Sequence, residues 1–120
     1  MPKIAATAPR LRSLKPTERD VAKVVKDYMA AKGFRCVRMQ RTVIPGSFQA
    51  GEPGIPDLLF LRYRDGAIIW IETKRPGGKR SKDQLNWHRN EVARYPGAQV
   101  WTVSSLEELV QDFADWERTR

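Results

Sequence analysis

Apolar residues recur at helical spacing in three stretches of the chain, and a residue that favours helix N-termini precedes each stretch. The first stretch follows Thr17, repeats its apolar positions at i, i+3, i+4, i+7 and i+8, and stops at Gly33. The second runs from Ser81 to about Tyr95, where a Pro-Gly pair follows. The third follows Ser105, which opens a capping box. These patterns predict three amphipathic helices.

Four shorter apolar runs have the length and composition of β-strands. They occupy residues 34–39, 57–63, 67–73 and 99–103. Asp65-Gly66 joins the second run to the third, and such a pair between strand-like runs predicts a hairpin with a two-residue type I′ turn. The resulting order, αβββαβα, predicts one α/β domain over residues 17–120.

Two segments lack this periodicity. Residues 1–16 contain three prolines and four basic residues, and we expect a flexible basic N-terminal arm. Residues 40–56 are rich in glycine and proline and are predicted to form a long loop. A loop of this length is uncommon in a compact domain and is often functional.

Composition restricts the class of protein. Hydrophobic residues make up 41% of the chain and charged residues 30%, as in ordinary soluble globular proteins. No apolar run approaches the roughly 20 residues that a membrane-spanning helix needs, so no membrane partner is predicted. Cys36 is the one cysteine, which excludes an internal disulfide and a cysteine-based zinc site. We therefore predict a reducing, cytoplasmic compartment.

The net charge of +8 is concentrated in the first half of the chain. Residues 1–50 hold eleven Lys and Arg against three acids, whereas residues 51–120 hold eleven of each sign. A basic excess confined to part of a small domain indicates a polyanionic partner, because phosphate contacts release condensed counterions. Charge on a solvated face explains the same excess equally well, so charge alone does not name the function.

The predicted hairpin brings charged side chains together. With a two-residue turn at Asp65-Gly66, Asp57 lies opposite Lys74, and Glu72 shares their face of the sheet. Two carboxylates with few other ligands suit Mg²⁺ or Mn²⁺, which activates a water and offsets charge on a phosphoryl group. A lysine beside them stabilises the anionic transition state. A cross-strand ion pair between Asp57 and Lys74, with Glu72 in solvent, fits the spacing equally well.

Longer motifs around these residues resemble the VRR-NUC (virus-type replication-repair nuclease) family of the PD-(D/E)XK nuclease superfamily. The resemblance runs from about Thr17 to Trp116, nearly the whole chain, and we expect a stand-alone member of the family. The motifs are Gly54-Ile55-Pro56-Asp57-Leu58, Glu72-Thr73-Lys74-Arg75-Pro76-Gly77-Gly78, Ser81-Lys82-Asp83-Gln84 and Ser105-Leu106-Glu107-Glu108-Leu109.

This resemblance implies a restriction-endonuclease-like core, with a mixed sheet flanked by helices, and metal-dependent hydrolysis of DNA. Its implied substrate is branched DNA, such as a four-way (Holliday) junction in recombination or repair. A homodimer with two active sites is the implied assembly. The implied setting is the cytoplasm of a bacterial cell or of a virus-infected host cell.

The resemblance also implies the roles of single residues. Asp57, Glu72 and the backbone carbonyl of Thr73 would hold Mg²⁺ or Mn²⁺, and Lys74 would be the catalytic lysine. Glu18, in the first helix, would support the metal, either directly or through a water. Its spacing from Val21 and Val25 predicts that it lies on the buried side of the helix. The alternative is a first-turn acid that complements the helix dipole.

Gln84 matches the glutamine that follows the core motif in the family, although Ser81 and Gln84 also form a capping box by themselves. Four basic residues crowd the loop after the predicted catalytic strand, and beside a nuclease site we expect them to bind DNA phosphates. They are Arg75, Lys79, Arg80 and Lys82. His88 is the one histidine, and a lone histidine is more often structural than catalytic.

Three other functions compete with a junction endonuclease. The first is a nucleic-acid-binding module that has kept the fold without catalysis, for which the trio Asp57, Glu72 and Lys74 has no use. The second is a protein-interaction domain with a solvated basic half, which predicts weak DNA binding with little salt dependence. The third remains an enzyme and cuts flaps, single strands or RNA.

Overall fold

The computed structural model describes residues 16–38 and 53–120. The predicted basic arm up to residue 15, the last residue of the first predicted strand (Met39) and residues 40–52 of the predicted loop lie outside this part of the chain. The described elements follow the order αβββαβα, which confirms the predicted order. They are α1 (Glu18–Ala31), β1 (Arg35–Arg38), β2 (Leu58–Arg62), β3 (Ala67–Thr73), α2 (Lys82–Arg94), β4 (Gln99–Val103) and α3 (Leu106–Arg118).

The four strands form one mixed sheet in the order β1-β2-β3-β4. The first two pairings are antiparallel, and β3 pairs with β4 in parallel, with α2 as the crossover between them. This is an α/β fold with helices flanking a mixed sheet, as predicted. Within the part that the structure describes, no helix has the length and apolar character needed to cross a membrane.

The hydrophobic core lies between one face of the sheet and the helices α1 and α3. We call this face the core face. Alternate residues of the central strands point into it, so that Phe60, Ile69 and Ile71 are fully buried. They meet Val25 of α1 and Leu109 of α3 in one cluster. Burying each such side chain contributes roughly 1.5–3 kcal/mol, which makes this layer the main source of stability.

Helix α1 begins and ends where its sequence predicts. Thr17 and Asp20 form a reciprocal capping box at its N-terminus, with hydrogen bonds of 2.8 and 3.1 Å. Gly33 has φ of +88° at its C-terminal end, a conformation that favours glycine, and the Phe34 amide donates to the Met29 carbonyl across it. Local sequence therefore fixes both ends of this helix.

The hairpin between β2 and β3 corrects the predicted register. Leu58 pairs with Ile71 and Arg62 with Ala67, so four residues form the connection where two were predicted. Of the predicted turn pair, only Gly66 has positive φ. The predicted alignment of Asp57 with Lys74 is therefore wrong by two positions. Because side chains alternate with a period of two, the error leaves the paired side chains of β2 and β3 on their predicted faces.

Asp65 explains the longer connection. Its carboxylate accepts two hydrogen bonds from Arg62, at 2.9 and 3.1 Å, and another from the Ala67 amide. Arg62 is buried on the core face, where its guanidinium lies 4.5 Å from the centre of the Phe34 ring. A buried arginine needs a charged partner, and Asp65 supplies it from the connection.

The opposite face of the sheet, which we call the site face, carries α2 as its only described helix. Trp70 and Trp87 meet there edge to face, with ring centres 5.1 Å apart. Beside them the face forms an open groove of about 1130 Å³. Its apolar lining includes Leu59, Leu61 and Ile68, and Ile68 is 53% exposed.

Candidate active site

Glu72 and Lys74 form the centre of the candidate site, at the end of β3. Both belong to the site face, because they alternate with the buried Ile71 and Thr73 of the core face. Glu72 is only 5% exposed, and its Oε2 atom lies 3.9 Å from Nζ of Lys74. The predicted alternative placed Glu72 in solvent, and this placement is wrong. A carboxylate buried to this degree is costly unless charged or hydrogen-bonding groups surround it.

Asp57 lies immediately before β2 and contacts the end of β3. Its Oδ1 accepts a hydrogen bond from the Thr73 amide at 3.0 Å, and its Oδ2 accepts one from the Thr73 hydroxyl at 2.7 Å. Thr73 is fully buried and lies between Glu72 and Lys74 in the chain. Its two hydrogen bonds therefore hold the Asp57 carboxylate at the same strand end. The predicted ion pair with Lys74 is replaced by these bonds to Thr73.

Gln84 joins the candidate site to helix α2. Its side-chain carbonyl accepts from the Ser81 backbone amide at 2.8 Å, and its backbone amide donates to the Ser81 hydroxyl oxygen at 3.1 Å, which completes the predicted capping box. Its Nε2 atom donates to Oε2 of Glu72 at 2.7 Å. The capping box is therefore confirmed, and the same helix end directs the side-chain amide of Gln84 to Glu72. The catalytic role of Gln84 stays a prediction.

Gly54 fixes the segment before Asp57 against the same helix end. Its φ is +82°, and a Cβ atom placed on it would lie 2.1 Å from the Asp83 carbonyl oxygen and 2.8 Å from the Gln84 amide nitrogen. Only glycine allows this approach between two backbones. Three segments of the chain, which lead to Asp57, Glu72 and Gln84, therefore meet at one end of the sheet.

The loop after Lys74 carries the predicted DNA-binding residues. It opens with a turn in which the Gly78 amide donates to the Arg75 carbonyl at 2.8 Å and Gly77 has φ of +83°. Proline and then glycine at the two central positions are typical of a type II turn. Arg75, Lys79 and Lys82 are exposed, as phosphate-binding side chains would need to be, and Arg80 is half-buried.

Sequence patterns did not predict the contact that half-buries Arg80. Its Nη1 atom lies 2.9 Å from Nδ1 of His88, in α2. Burial, and then the charge of Arg80, holds the pKa of His88 below its ordinary value. The contact joins a loop to the second turn of a helix, and no helical or strand periodicity relates these two positions.

Glu18 does not lie where its spacing predicts. It is the first residue of α1 and is exposed, whereas Val21 and Val25 are buried. The prediction of a buried position is wrong because helical spacing fixes the direction of a side chain but not whether another element covers it. The acid does lie in the first turn, as the helix-dipole alternative requires. Its role as a metal ligand stays a prediction.

The donor atoms at this site suit a hard divalent cation. Asp57 and Glu72 provide carboxylate oxygens, and an ionised carboxylate has about four lone-pair sites, so a bond to Thr73 or Gln84 does not exhaust it. Within residues 16–38 and 53–120, no three or more His, Cys, Asp and Glu side chains group as metal ligands. Mg²⁺ commonly uses only one or two carboxylates, with waters and substrate phosphate as its other ligands. Asp57 and Glu72 therefore fit Mg²⁺ or Mn²⁺ better than a metal that needs an all-protein cage.

Comparison with known proteins adds no relative: no protein-family model matches the chain, and no curated protein matches it.

Proposed function

We propose that this protein is a metal-dependent endonuclease that hydrolyses phosphodiester bonds in branched DNA such as four-way junctions. The observation that supports it most is the buried Glu72 carboxylate, which lies between Lys74 and Gln84 at the strand end where Thr73 holds Asp57. In this proposal the mixed sheet and its helices are the restriction-endonuclease-like core of the PD-(D/E)XK superfamily. We propose branched DNA as the substrate because of the motifs that resemble the VRR-NUC family.

Each residue of the site has a proposed task. Asp57, Glu72 and the Thr73 backbone carbonyl would hold Mg²⁺ or Mn²⁺, which when bound would supply a more acidic water and positive charge for the phosphate. Lys74 orients the attacking water and stabilises the negative charge that develops on the phosphoryl oxygens. Gln84 keeps Glu72 in position through its hydrogen bond. Glu18, at the N-terminus of α1, would support the metal, either directly or through a water.

Exposed cations next to the site would bind the DNA backbone. Arg75, Lys79 and Lys82 lie in the loop and first helical turn after Lys74, and Arg80 lies among them. Contacts from such side chains to phosphates fix the position of a nucleic acid without reading its sequence. This arrangement is consistent with selection of a DNA by its shape.

A homodimer is part of the proposal, because two active sites can cut two strands of one junction. The apolar groove on the site face supports it, since Ile68 and Trp70 lie there on a sheet that α2 covers only in part. The groove is also lined by charges of both signs, Asp65 and Glu91 with Arg94 and Arg120. A two-fold axis can pair such a surface with itself.

A binding module without catalysis is the second candidate. One observation favours it: hydrogen bonds within the protein already engage both carboxylates, Asp57 through Thr73 and Glu72 through Gln84. A purely structural site has the same bonds. Only a dependence of cleavage on metal and on Glu72 separates the two functions.

The test is a cleavage assay on a panel of labelled DNA substrates. They are a four-way junction, a flap, splayed arms, a linear duplex and a single strand. Wild type and Glu72→Ala are each assayed with Mg²⁺, with Mn²⁺ and with EDTA. We expect wild type to cut the junction best, only with metal, and Glu72→Ala to lose the activity. Preferred cutting of the flap or of the single strand would replace the proposed substrate. Salt-sensitive binding with no cleavage of any substrate would establish the binding module.

A further inference from the structure

Arg80 differs from the other basic residues of its loop. Arg75, Lys79 and Lys82 extend into solvent, whereas Arg80 is half-buried and directs Nη1 to Nδ1 of His88 at 2.9 Å. An arginine that only screened charge or kept the loop solvated would not need a partner that fixes its side chain. Its side chain also gives up rotamer freedom, which costs free energy.

The partner atom defines the protonation state of the histidine. A guanidinium has five N–H donors and no acceptor, so Nδ1 of His88 must accept the hydrogen bond. His88 is therefore neutral, with its proton on Nε2. A carboxylate in the same place would have cancelled the charge of Arg80. A neutral imidazole instead holds the guanidinium, leaves its full positive charge, and leaves four of its donors for other partners.

The held guanidinium is close to the candidate site. Arg80 and His88 line a small cavity of about 10 Å³ together with Glu72 and Gln84. A space of this size holds at most about one water molecule, so the surrounding groups are closely packed. Gly54 and Pro56, which lead to Asp57, line the same cavity. Arg80 is thereby fixed beside the end of the sheet that presents the two carboxylates.

We propose that His88 is a positioning residue that holds Arg80 to bind an oxygen of the phosphate undergoing cleavage, while the exposed cations of the loop bind flanking phosphates. The proposal rests on the proposed nuclease function. The planar guanidinium matches the geometry of phosphate oxygens, and a donor fixed in advance loses little freedom when the phosphate arrives. His88 itself does not touch the substrate and neither gives nor takes a proton.

Nuclear magnetic resonance tests the holding contact without any nuclease assay. His88 is the only histidine of the chain, so its two ring nitrogens can be assigned without ambiguity in a ¹⁵N-labelled sample at neutral pH. We expect a protonated Nε2 and an unprotonated Nδ1, with a change of the Nδ1 resonance in Arg80→Met. A proton on Nδ1, or an Nδ1 resonance that is the same in Arg80→Met, would overturn the contact.

Kinetics then test whether the contact serves cleavage. We expect His88→Ala to lower kcat on the preferred DNA about 10- to 100-fold with KM nearly unchanged, because Arg80 would lose its orientation at the reacting phosphate. His88→Asn should restore most of kcat, since its side-chain oxygen replaces Nδ1 as the acceptor. Asn86→Ala, an exposed neutral position of the same helix, is the control and should match wild type.

Equal losses in the alanine and asparagine variants, or a change in KM alone, would overturn the positioning role. Circular dichroism of both variants shows whether the fold is intact. If wild type cuts no DNA, the proposed nuclease function fails, and the positioning role at a reacting phosphate fails with it. The nuclear magnetic resonance spectrum still decides whether His88 holds Arg80, so the two failures remain distinguishable.

Discussion

At the scale of single residues, the candidate site depends on groups that are expensive to bury. Glu72 is 5% exposed at the end of a strand whose other residues are mostly apolar. Lys74 and Gln84 offset part of the cost of removing its charge from water. Glycine at position 54 is what allows the helix end that carries Gln84 to approach the segment leading to Asp57. The geometry of the site therefore depends on a residue with no side chain.

Gly54→Ala tests that dependence. Positive φ costs a non-glycine residue roughly 1–2 kcal/mol, and the new Cβ would also collide with the backbone of Asp83. We expect the free energy of unfolding, measured with urea, to fall by at least about 2 kcal/mol more than in Gly66→Ala. Gly66 is the matched control, because its φ is +70° and a Cβ atom there meets nothing within 4 Å. Equal losses in the two variants would show that the close approach is unimportant.

At the scale of elements, the sequence predicted what depends on neighbours in the chain. The first helix and its caps at Thr17 and Gly33 are local, and so is the capping box that orients Gln84. The faces of β2 and β3 follow from alternation alone. The residue order therefore predicted that Glu72 and Lys74 share a face, even with the register wrong by two.

Contacts between distant parts of the chain account for what the sequence did not predict. Asp65 is typical of a tight turn, but its partner Arg62 is buried by aromatic rings from α3 and from the segment after α1. The contact of Arg80 with His88 likewise exists only once the loop has folded onto α2. Glu18 shows the same limit, because helical periodicity gives the face on which a residue lies but not whether another element covers that residue.

Asp65 gives the hairpin a measurable dependence on pH. The hydrogen bonds from Arg62, above all, hold the pKa of Asp65 well below its ordinary value of 3.8. Its contribution to stability is therefore complete above about pH 4 and is lost as the pH falls toward the lowered value. We expect Asp65→Asn to unfold at lower urea concentration than wild type at pH 7, and the difference to shrink steadily between pH 4 and pH 2.5.

The control for this measurement is Asp27→Asn. The pair of Asp27 with Lys23 is exposed, with side chains 68% and 74% accessible, and such pairs contribute less than about 1 kcal/mol. A difference between wild type and Asp65→Asn that stays constant from pH 7 to pH 2.5 would contradict an ionised Asp65 in the hairpin.

At the scale of the whole molecule, the two faces of the sheet have different tasks. The core face, covered by α1 and α3, stabilises the fold. The site face carries Glu72, Lys74 and the contact with Gln84 at one end, and the apolar groove farther along. A second copy of the chain bound in the groove would give a dimer with two candidate sites, which suits a substrate with several DNA arms.

Ile68→Arg tests that assembly. Ile68 is 53% exposed, so a charge there leaves the core intact but opposes burial of the groove. We expect light scattering to give twice the chain mass of 13.8 kDa for wild type and the mass of one chain for the variant. Val110→Arg, on an exposed position of α3 that is 43% accessible, should remain a dimer. A monomeric wild type would contradict the dimer and leave the catalytic proposal in place.

We expect Lys74, which lies 3.9 Å from the Glu72 carboxylate, to be required for metal-dependent cleavage. The most direct measurement is single-turnover cleavage of a labelled four-way junction with Mn²⁺ by wild type and by Lys74→Ala, with binding measured in EDTA. We expect a rate at least about 100-fold lower in the variant, with junction affinity and melting temperature nearly unchanged. Equal rates in the two proteins, or a variant that loses its fold along with its activity, would show that Lys74 is a structural partner of Glu72 instead.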